Sequence, residues 1–199
     1  MEVLKYFACA FAGYLFGSVN FAIILCKAIK HEDVRKKGSL NAGATNVARV
    51  YGMRMGLITF IGDFIKTAAA MGFGLLLLGK DGMAIGAMTC LIGHCWPLFF
   101  KFRGGKGVVV GAAIGCFLDW RVFIIIVAAF FMAFALTKRV SVSSLTAAFI
   151  FPIVLALLGG HFPIEIAAGI LTFIVVWVMH IPNIKRIINH TEGKFKPGK

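Results

Sequence analysis

Apolar residues in this chain run on for long stretches, and that pattern constrains the fold more than any other feature. A membrane-crossing helix needs roughly 20 mostly apolar residues, fewer where the bilayer adapts. Stretches at about 3–25, 53–78, 82–100, 108–118, 122–136, 144–158 and 163–179 approach that length. The sequence therefore predicts an all-α integral membrane protein with seven transmembrane helices, folded as a single polytopic domain over 1–199. The fourth stretch is the shortest. Of the 199 residues, 60% are hydrophobic and 15% charged, against about 25% charged in a soluble domain. The surplus of apolar surface has to face lipid, which excludes a soluble enzyme, a secreted disulfide scaffold and a disordered chain. The first stretch does not read as a cleaved signal peptide, since Glu2 stands where a positive start is usual and no small-x-small site follows.

Charge then orients the helices. The chain carries 21 Lys and Arg against 8 Asp and Glu, a net charge of +13. All the cations but Lys5, Lys66, Lys80 and Arg121 fall in segment 26–54, loop 101–107, loop 138–143 or tail 180–199. The positive-inside rule puts these segments in the cytoplasm and the N-terminus outside, and an odd number of helices agrees with opposite-sided termini. The same segments hold nearly all the Asn, Ser, Thr and His able to do chemistry. Loops 79–82, 119–121 and 159–162 read as tight turns with little in them. Function is expected at the cytoplasmic membrane face. In a soluble protein the charge would suggest nucleic acid; here it suggests anionic lipid or an anionic substrate, and no nucleic acid.

Five constellations stand out. Gly38, Ser39, Asn41, Gly43, Thr45 and Asn46, followed by Arg49, form a glycine-rich segment whose amides can converge on a phosphate, with Ser39, Thr45 and Arg49 adding donors. The run Arg35-Lys36-Lys37 supports this reading over an ordinary turn. Gly93-His94-Cys95-Trp96-Pro97 precedes Gly104-Gly105-Lys106-Gly107, where glycines leave the lysine accessible to a charged ligand, although the spacing is not that of a Walker A loop. His94 reads equally as a buried, hydrogen-bonded residue. Asp63 and Lys66 share a helix face inside an apolar stretch, either as a self-neutralised pair or with Asp63 holding a basic residue of the phosphate loop. Ser141, Ser143 and Ser144 open the sixth stretch: two of the three read as helix caps, and one hydroxyl is left for substrate. His180 and Asn183 emerge beside Lys185 and Arg186, offering a proton acceptor and an amide. Cys9, Cys26, Cys90, Cys95 and Cys116 include no CxxC pair and read as small apolar packing residues; no metal site and no cofactor are expected.

Taken in order, these motifs resemble the integral-membrane acyl-phosphate:glycerol-3-phosphate acyltransferases of bacteria. Gly17-Ser18 with the segment from Gly38 to Gly52 matches the family's first motif. The segment from Gly93-His94 to Gly107 matches its second. His180, Asn183-Ile184-Lys185-Arg186 and Glu192 resemble its third. Leu40 stands where Gly is common, Val109-Val110 where Ala-Thr is common, Thr67 where Gly is usual, and His190-Thr191 precede Glu192 in place of a glycine pattern. The resemblance implies a bacterial inner-membrane enzyme with its site facing the cytoplasm. It would move a fatty acyl group from acyl phosphate to the 1-hydroxyl of glycerol 3-phosphate, giving lysophosphatidic acid and phosphate.

It further implies that segment 38–46 and Lys106 hold phosphates, with Gly104, Gly105, Asp63 and His94 around them. His180 and Asn183 then position the acceptor hydroxyl while Ser144 or Ser143 assists, the proton passing to His180 or to a substrate phosphate. No histidine is followed by Asp in a His-x-x-x-x-Asp arrangement: His94 leads to Phe99 and His180 to Lys185. Glycerol 3-phosphate, acyl phosphate and membrane lipid are the expected partners. An anion transporter and a lipid-binding scaffold are the competing readings; the first lacks a repeat and midplane polar residues, and the second leaves the glycine segments unexplained.

Overall fold

The computed structural model describes residues 2–198, and within them the fold is entirely helical. The helices are α1 (Glu2–Ser18), α2 (Phe21–Lys30), α3 (Ala44–Tyr51), α4 (Met53–Cys95), α5 (Val108–Leu118), α6 (Trp120–Thr137), α7 (Val140–Leu158), α8 (Pro163–Met179) and α9 (Ile181–Ile188), with single 3-10 turns at Val34–Lys36 and Leu98–Phe100. Four helical segments are long and apolar enough to cross a membrane, or five when α8 and α9, bent by 58° at their junction, count as one span. Leu76 is 87% exposed, Leu136 82% and Leu157 80%. Such side chains on the outside of a helical bundle face lipid.

The first apolar stretch is not one helix. It breaks at Val19-Asn20, where the Asn20 side chain caps α2 by accepting a hydrogen bond from Ile23 N at 3.1 Å. The exposed carbonyls at the end of α1 are satisfied from within the bundle: Lys66 Nζ donates to Gly17 O at 3.1 Å and to Val19 O at 2.7 Å. The second and third stretches form the two arms of α4, interrupted by non-helical backbone at Leu78 and Gly79, with φ +60° at Gly79. A Cβ on Gly86 would run into Ala70 O. Along a straight helix these residues would lie about 24 Å apart, so α4 is a hairpin. Glycines also let α1 lie against its second arm, since a Cβ on Gly17 would strike Cys90 O and one on Gly93 would strike Tyr14 O.

Around this hairpin pack α5 to α8, with Leu91, Ile114, Phe151 and Leu155 fully enclosed. Four of the five free cysteines are buried as packing residues. Helix α5 is 11 residues, about 16 Å and roughly half the hydrocarbon thickness. Helix α7 starts at Val140, four residues before the expected start, with Arg139 as its N-cap. The expectation that serines cap this helix is therefore corrected: Ser143 Oγ donates to Arg139 O at 3.1 Å and Ser144 Oγ to Val140 O at 2.9 Å, back along the helix. The turns at the opposite end are not empty either. His161 sits between Asp119 Oδ2 and Glu165 Oε2, 3.4 Å from each, and Asp119 also holds Arg121.

Candidate active site

The polar segments that lie far apart in sequence meet at one end of the bundle around a cavity of about 500 Å³. Its wall is formed by segment 38–46 with Arg49, by Lys106, Ser141, Ser144, His180, Asn183, Arg186 and Glu192, and deeper in by Asp63 and His94. A second cavity of about 300 Å³ adjoins it between α5, α6 and α7, walled by Phe60, Phe123, Phe130, Phe131 and small apolar residues. Thr45, Val108, Val109, Val140 and Ser144 border both. One end of the site is thus cationic and hydrogen-bonding, and its neighbour is apolar.

Segment 38–46 owes its shape to Asn46, 1% exposed. Its Oδ1 accepts from Ser39 N at 2.8 Å, and its Nδ2 is shared among Val34 O, Lys37 O and Asn41 O at 3.0–3.1 Å. Asn46 was expected to contact phosphate, but its amide is committed to holding the loop. Gly38 (φ +58°) is needed twice over, since a Cβ there would also collide with Asn46 Oδ1. Leu40 adopts φ +61° in the left-handed region that glycine tolerates far better. Gly43 precedes α3 with no side-chain cap. The first-turn amides of Ala44 and Thr45 therefore have no helical acceptor, and Thr45 lies on the cavity wall at the positive end of the helix dipole.

The basic run does not join them. Arg35 grips Asp33 at 2.8 Å and donates to Phe100 O and Arg103 O, while Lys37 pairs with Glu32 at 2.7 Å. These cations stitch the loops together outside the cavity, so the phosphate reading rests on Arg49 and the amides.

Gly104 and Gly105 also play a different part from the one expected. Their amides cap the end of α4, donating to Cys95 O at 3.1 Å and His94 O at 3.0 Å. A Cβ on either would collide with His94, at its carbonyl oxygen or at Nε2. They allow the loop to close over His94 and place Lys106 on the cavity wall. Lys106 Nζ donates to Asn183 Oδ1. Burial pushes the Lys106 ammonium down to about 8, helped by Arg186 and Arg49 and opposed by Glu192.

Asn183 passes this interaction on, its Nδ2 donating to Glu192 Oε1 at 2.7 Å, and Arg186 Nε donates to Glu192 Oε2 at 2.7 Å. Burial opposes ionisation of Glu192, yet the polar side chains of Ser141, Arg186 and Asn183 and the Arg186 charge outweigh it and hold the carboxyl below its usual range. His180 Nδ1 lies 2.8 Å from Val176 O. A carbonyl only accepts, so Nδ1 carries the proton and Nε2 keeps a free lone pair.

Asp63 and Lys66 do pair, at 2.9 Å, but Lys66 does not reach toward the membrane surface. It is 4% exposed, caps α1 and lies 2.9 Å from His94 Nδ1. Asp63 holds no basic residue of the phosphate loop; its neighbours are Lys66 and His94. Among the three serines, Ser143 and Ser144 have their hydroxyls bound to the helix backbone, and Ser143 does not line the cavity. Ser141 Oγ is buried at the wall, makes no well-formed hydrogen bond among the described residues, and lies close enough to the Glu192 carboxyl to favour its ionised form. The hydroxyl not bound to its own helix is therefore Ser141, one helical turn from where it was expected, and it faces Glu192. Glu192 and Arg186 were also passed over as site residues. Their signal was the charge pair close after Asn183, which becomes meaningful only when the tail folds back.

A family model described as glycerol-3-phosphate acyltransferase matches residues 7–190. The chain is 40% identical over 192 residues to the glycerol-3-phosphate acyltransferase of Rhodopseudomonas palustris, covering 95% of each chain. It is 36% identical over 191 residues to that of Syntrophotalea carbinolica, covering 93% of this chain and 95% of the relative. The fold superposes on the crystal structure of PlsY, an integral membrane glycerol 3-phosphate acyltransferase, in its glycerol 3-phosphate form with a TM-score of 0.90, 27% identity and 96% coverage of both chains. Against the lysophosphatidic acid form of that enzyme the TM-score is 0.86 at 26% identity, covering 96% of this chain and 95% of the other.

Proposed function

The chain belongs to the glycerol-3-phosphate acyltransferase family, and from that premise we propose that it transfers a fatty acyl group from acyl phosphate to the 1-hydroxyl of sn-glycerol 3-phosphate. The products are lysophosphatidic acid and inorganic phosphate. The observation that carries this reading is the adjoining of the two cavities: a cationic one able to take phosphate groups and an apolar one able to take a fatty chain, with Ser144 and Val140 on their shared border. A transporter for small anions has no use for the apolar cavity.

In the mechanism, the first-turn amides of α3 with Arg49, and Lys106 with Arg186, hold the two phosphates and stabilise charge on the departing one. The 1-hydroxyl oxygen of glycerol 3-phosphate attacks the acyl carbonyl carbon, and the bond from that carbon to the phosphate oxygen breaks. The hydroxyl proton passes to His180 Nε2 or to a phosphate oxygen. Ser141 Oγ donates to or orients the acceptor. Asn183 links Lys106 to Glu192 and fixes the ammonium, so Glu192 acts through its neighbours. Acyl phosphate is a mixed anhydride with a good leaving group, so a histidine without a carboxylate partner suffices as acceptor.

The topology is part of the same proposal. Seven passages, formed by α1–α2, the two arms of α4, α5, α6, α7 and α8, place the N-terminus outside and the cavity on the cytoplasmic side of a bacterial inner membrane. Short α5 is accommodated beside the apolar cavity. The distribution of cations supports this orientation. The test is purified protein with glycerol 3-phosphate and a long-chain acyl phosphate, following phosphate release and lipid product together. Lipid product with acyl phosphate but not with acyl-CoA supports the reading; no lipid product, or normal turnover by both Lys106→Ala and Arg49→Ala, overturns it.

A further inference from the structure

Residues 189–198, which follow α9, adopt no regular secondary structure, yet they are tied down at several points. Arg139 Nε donates to Glu192 O at 2.9 Å, Phe195 N donates to Lys138 O at 2.9 Å, and Gly198 N donates to Ala48 O at 3.0 Å. The chain thereby runs from α9, past the corner between α6 and α7, to the last turn of α3. Gly193 and Lys194 form part of the cavity wall on the way. Phe195 anchors the middle. Its ring packs against Phe134 with centroids 6.5 Å apart, and its other contact is the guanidinium of Arg49, 5.7 Å from the ring centroid.

Arg49 is otherwise loosely held. The charged groups around it, Glu192, Arg186 and Lys106, act on it only at a distance, and no side-chain hydrogen bond fixes the guanidinium among the described residues. An arginine has several rotatable bonds, and ordering it on a ligand carries an entropy penalty unless something has already confined it. An aromatic face confines a guanidinium while leaving its N–H groups free to point at an anion.

We propose that Phe195 is a positioning residue for Arg49, and that residues 192–198 form a strap which holds this arginine ready for a substrate phosphate. The inference rests on the reading of Arg49 as a phosphate ligand. The strap acts on binding, since it orders the arginine before substrate arrives and touches no reacting atom. Lys138 O and Ala48 O fix the height of Phe195, and Phe134 keeps its ring turned toward α3.

The experiment measures KM for each substrate and kcat in detergent-purified full-length protein, with melting temperature recorded for every variant. Arg49→Lys identifies which substrate phosphate the arginine holds, by the KM that rises. Phe195→Ala is expected to raise that same KM about two- to five-fold, the loss of one partly exposed cation–π contact, with kcat within about twofold of the parent. Phe195→Leu, which keeps the packing on Phe134 and removes the π face, is expected to do the same with an unchanged melting temperature. Phe195→Tyr restores the parent KM. In the Arg49→Ala background, which has no cation to place over the ring, Phe195→Leu adds nothing further, because the two residues act through one contact. If Arg49→Lys raises a KM and neither Phe195 variant does, the strap proposal is overturned while the phosphate reading stands. If Arg49→Lys and Arg49→Ala change neither KM, the phosphate reading itself has failed and the strap goes with it. A fall in melting temperature with both KM values unchanged assigns Phe195 to stability alone and likewise overturns the proposal.

Discussion

Raising the pH through the titration of Lys106 tests the cationic half of the site. An unperturbed lysine titrates near 10.4 and stays protonated throughout the assay range. Burial on the cavity wall, with Arg186 beside it, brings Lys106 down to about 8. The sign follows from the proposed role: an ammonium that holds phosphate gives activity below that value and loses it as pH rises through it. With a midpoint at about 8, roughly nine-tenths of free enzyme is competent at pH 7 and roughly one-tenth at pH 9, so kcat/KM falls about tenfold between them. The profile of kcat/KM is the one to record, because it reports the free enzyme, whereas bound phosphate holds the proton on in kcat. The second ionisation of a phosphate monoester lies near 6, so substrate ionisation is complete before the fall begins. Initial rates are corrected for spontaneous hydrolysis of acyl phosphate. Lys106→Arg, if active, keeps its charge and moves the alkaline limb out of range. A wild-type profile that stays flat to pH 9.5, or one that falls identically in Lys106→Arg, would refute the assignment of Lys106 as the titrating phosphate ligand.

Other outcomes follow from the same contacts. Ser141→Ala should lower kcat by about tenfold, about the value of one neutral hydrogen bond to substrate, with little drop in melting temperature, since its hydroxyl makes no well-formed hydrogen bond among the described residues; Ser143→Ala, assayed alongside, should leave turnover near the parent value. Leu40→Gly should raise the unfolding midpoint, because the left-handed backbone at Leu40 costs an L-residue about 1–2 kcal/mol against about 0.5–1 kcal/mol for the extra chain entropy of glycine; an unchanged or lower midpoint would mean the loop relaxes elsewhere. Lys66→Met should be more damaging than Asp63→Asn by size-exclusion yield in detergent. It strands the Asp63 charge, a loss of about 3–5 kcal/mol for a broken buried pair, and also uncaps Gly17 O and Val19 O.

Helical content, the apolar stretches and the clustering of cations were all legible from the residues, because each depends on local composition read over roughly 20 positions. The hairpin in α4 was legible too, since Gly79 interrupts two apolar stretches that each have membrane length. The break at Asn20 was not, because its stability comes from Lys66, which lies 46 positions further along the chain and turns its ammonium inward. Within the site, residue type and glycine spacing pointed to segments that the fold gathers around one cavity, while several of the donors they carry are already taken. Asn46 and the pair Gly104-Gly105 carry donors of the right kind, but those donors are already bonded to the protein's own carbonyls. Arg35 and Lys37 have the right charge and are neutralised by Asp33 and Glu32.

What the amino-acid sequence determined, then, was a membrane-embedded helical bundle with its cations and hydrogen-bonding side chains gathered in a few polar segments, because chain hydropathy and residue type are one-dimensional properties. Which hydroxyl is left off the helix backbone, which amides still lack an acceptor, and which lysine is depressed by burial were decided by the tertiary structure alone. A hydrogen-bonding group is available to a substrate only if no nearer partner has taken it, and nearness is settled when α3, α7, α9 and the tail close around one cavity.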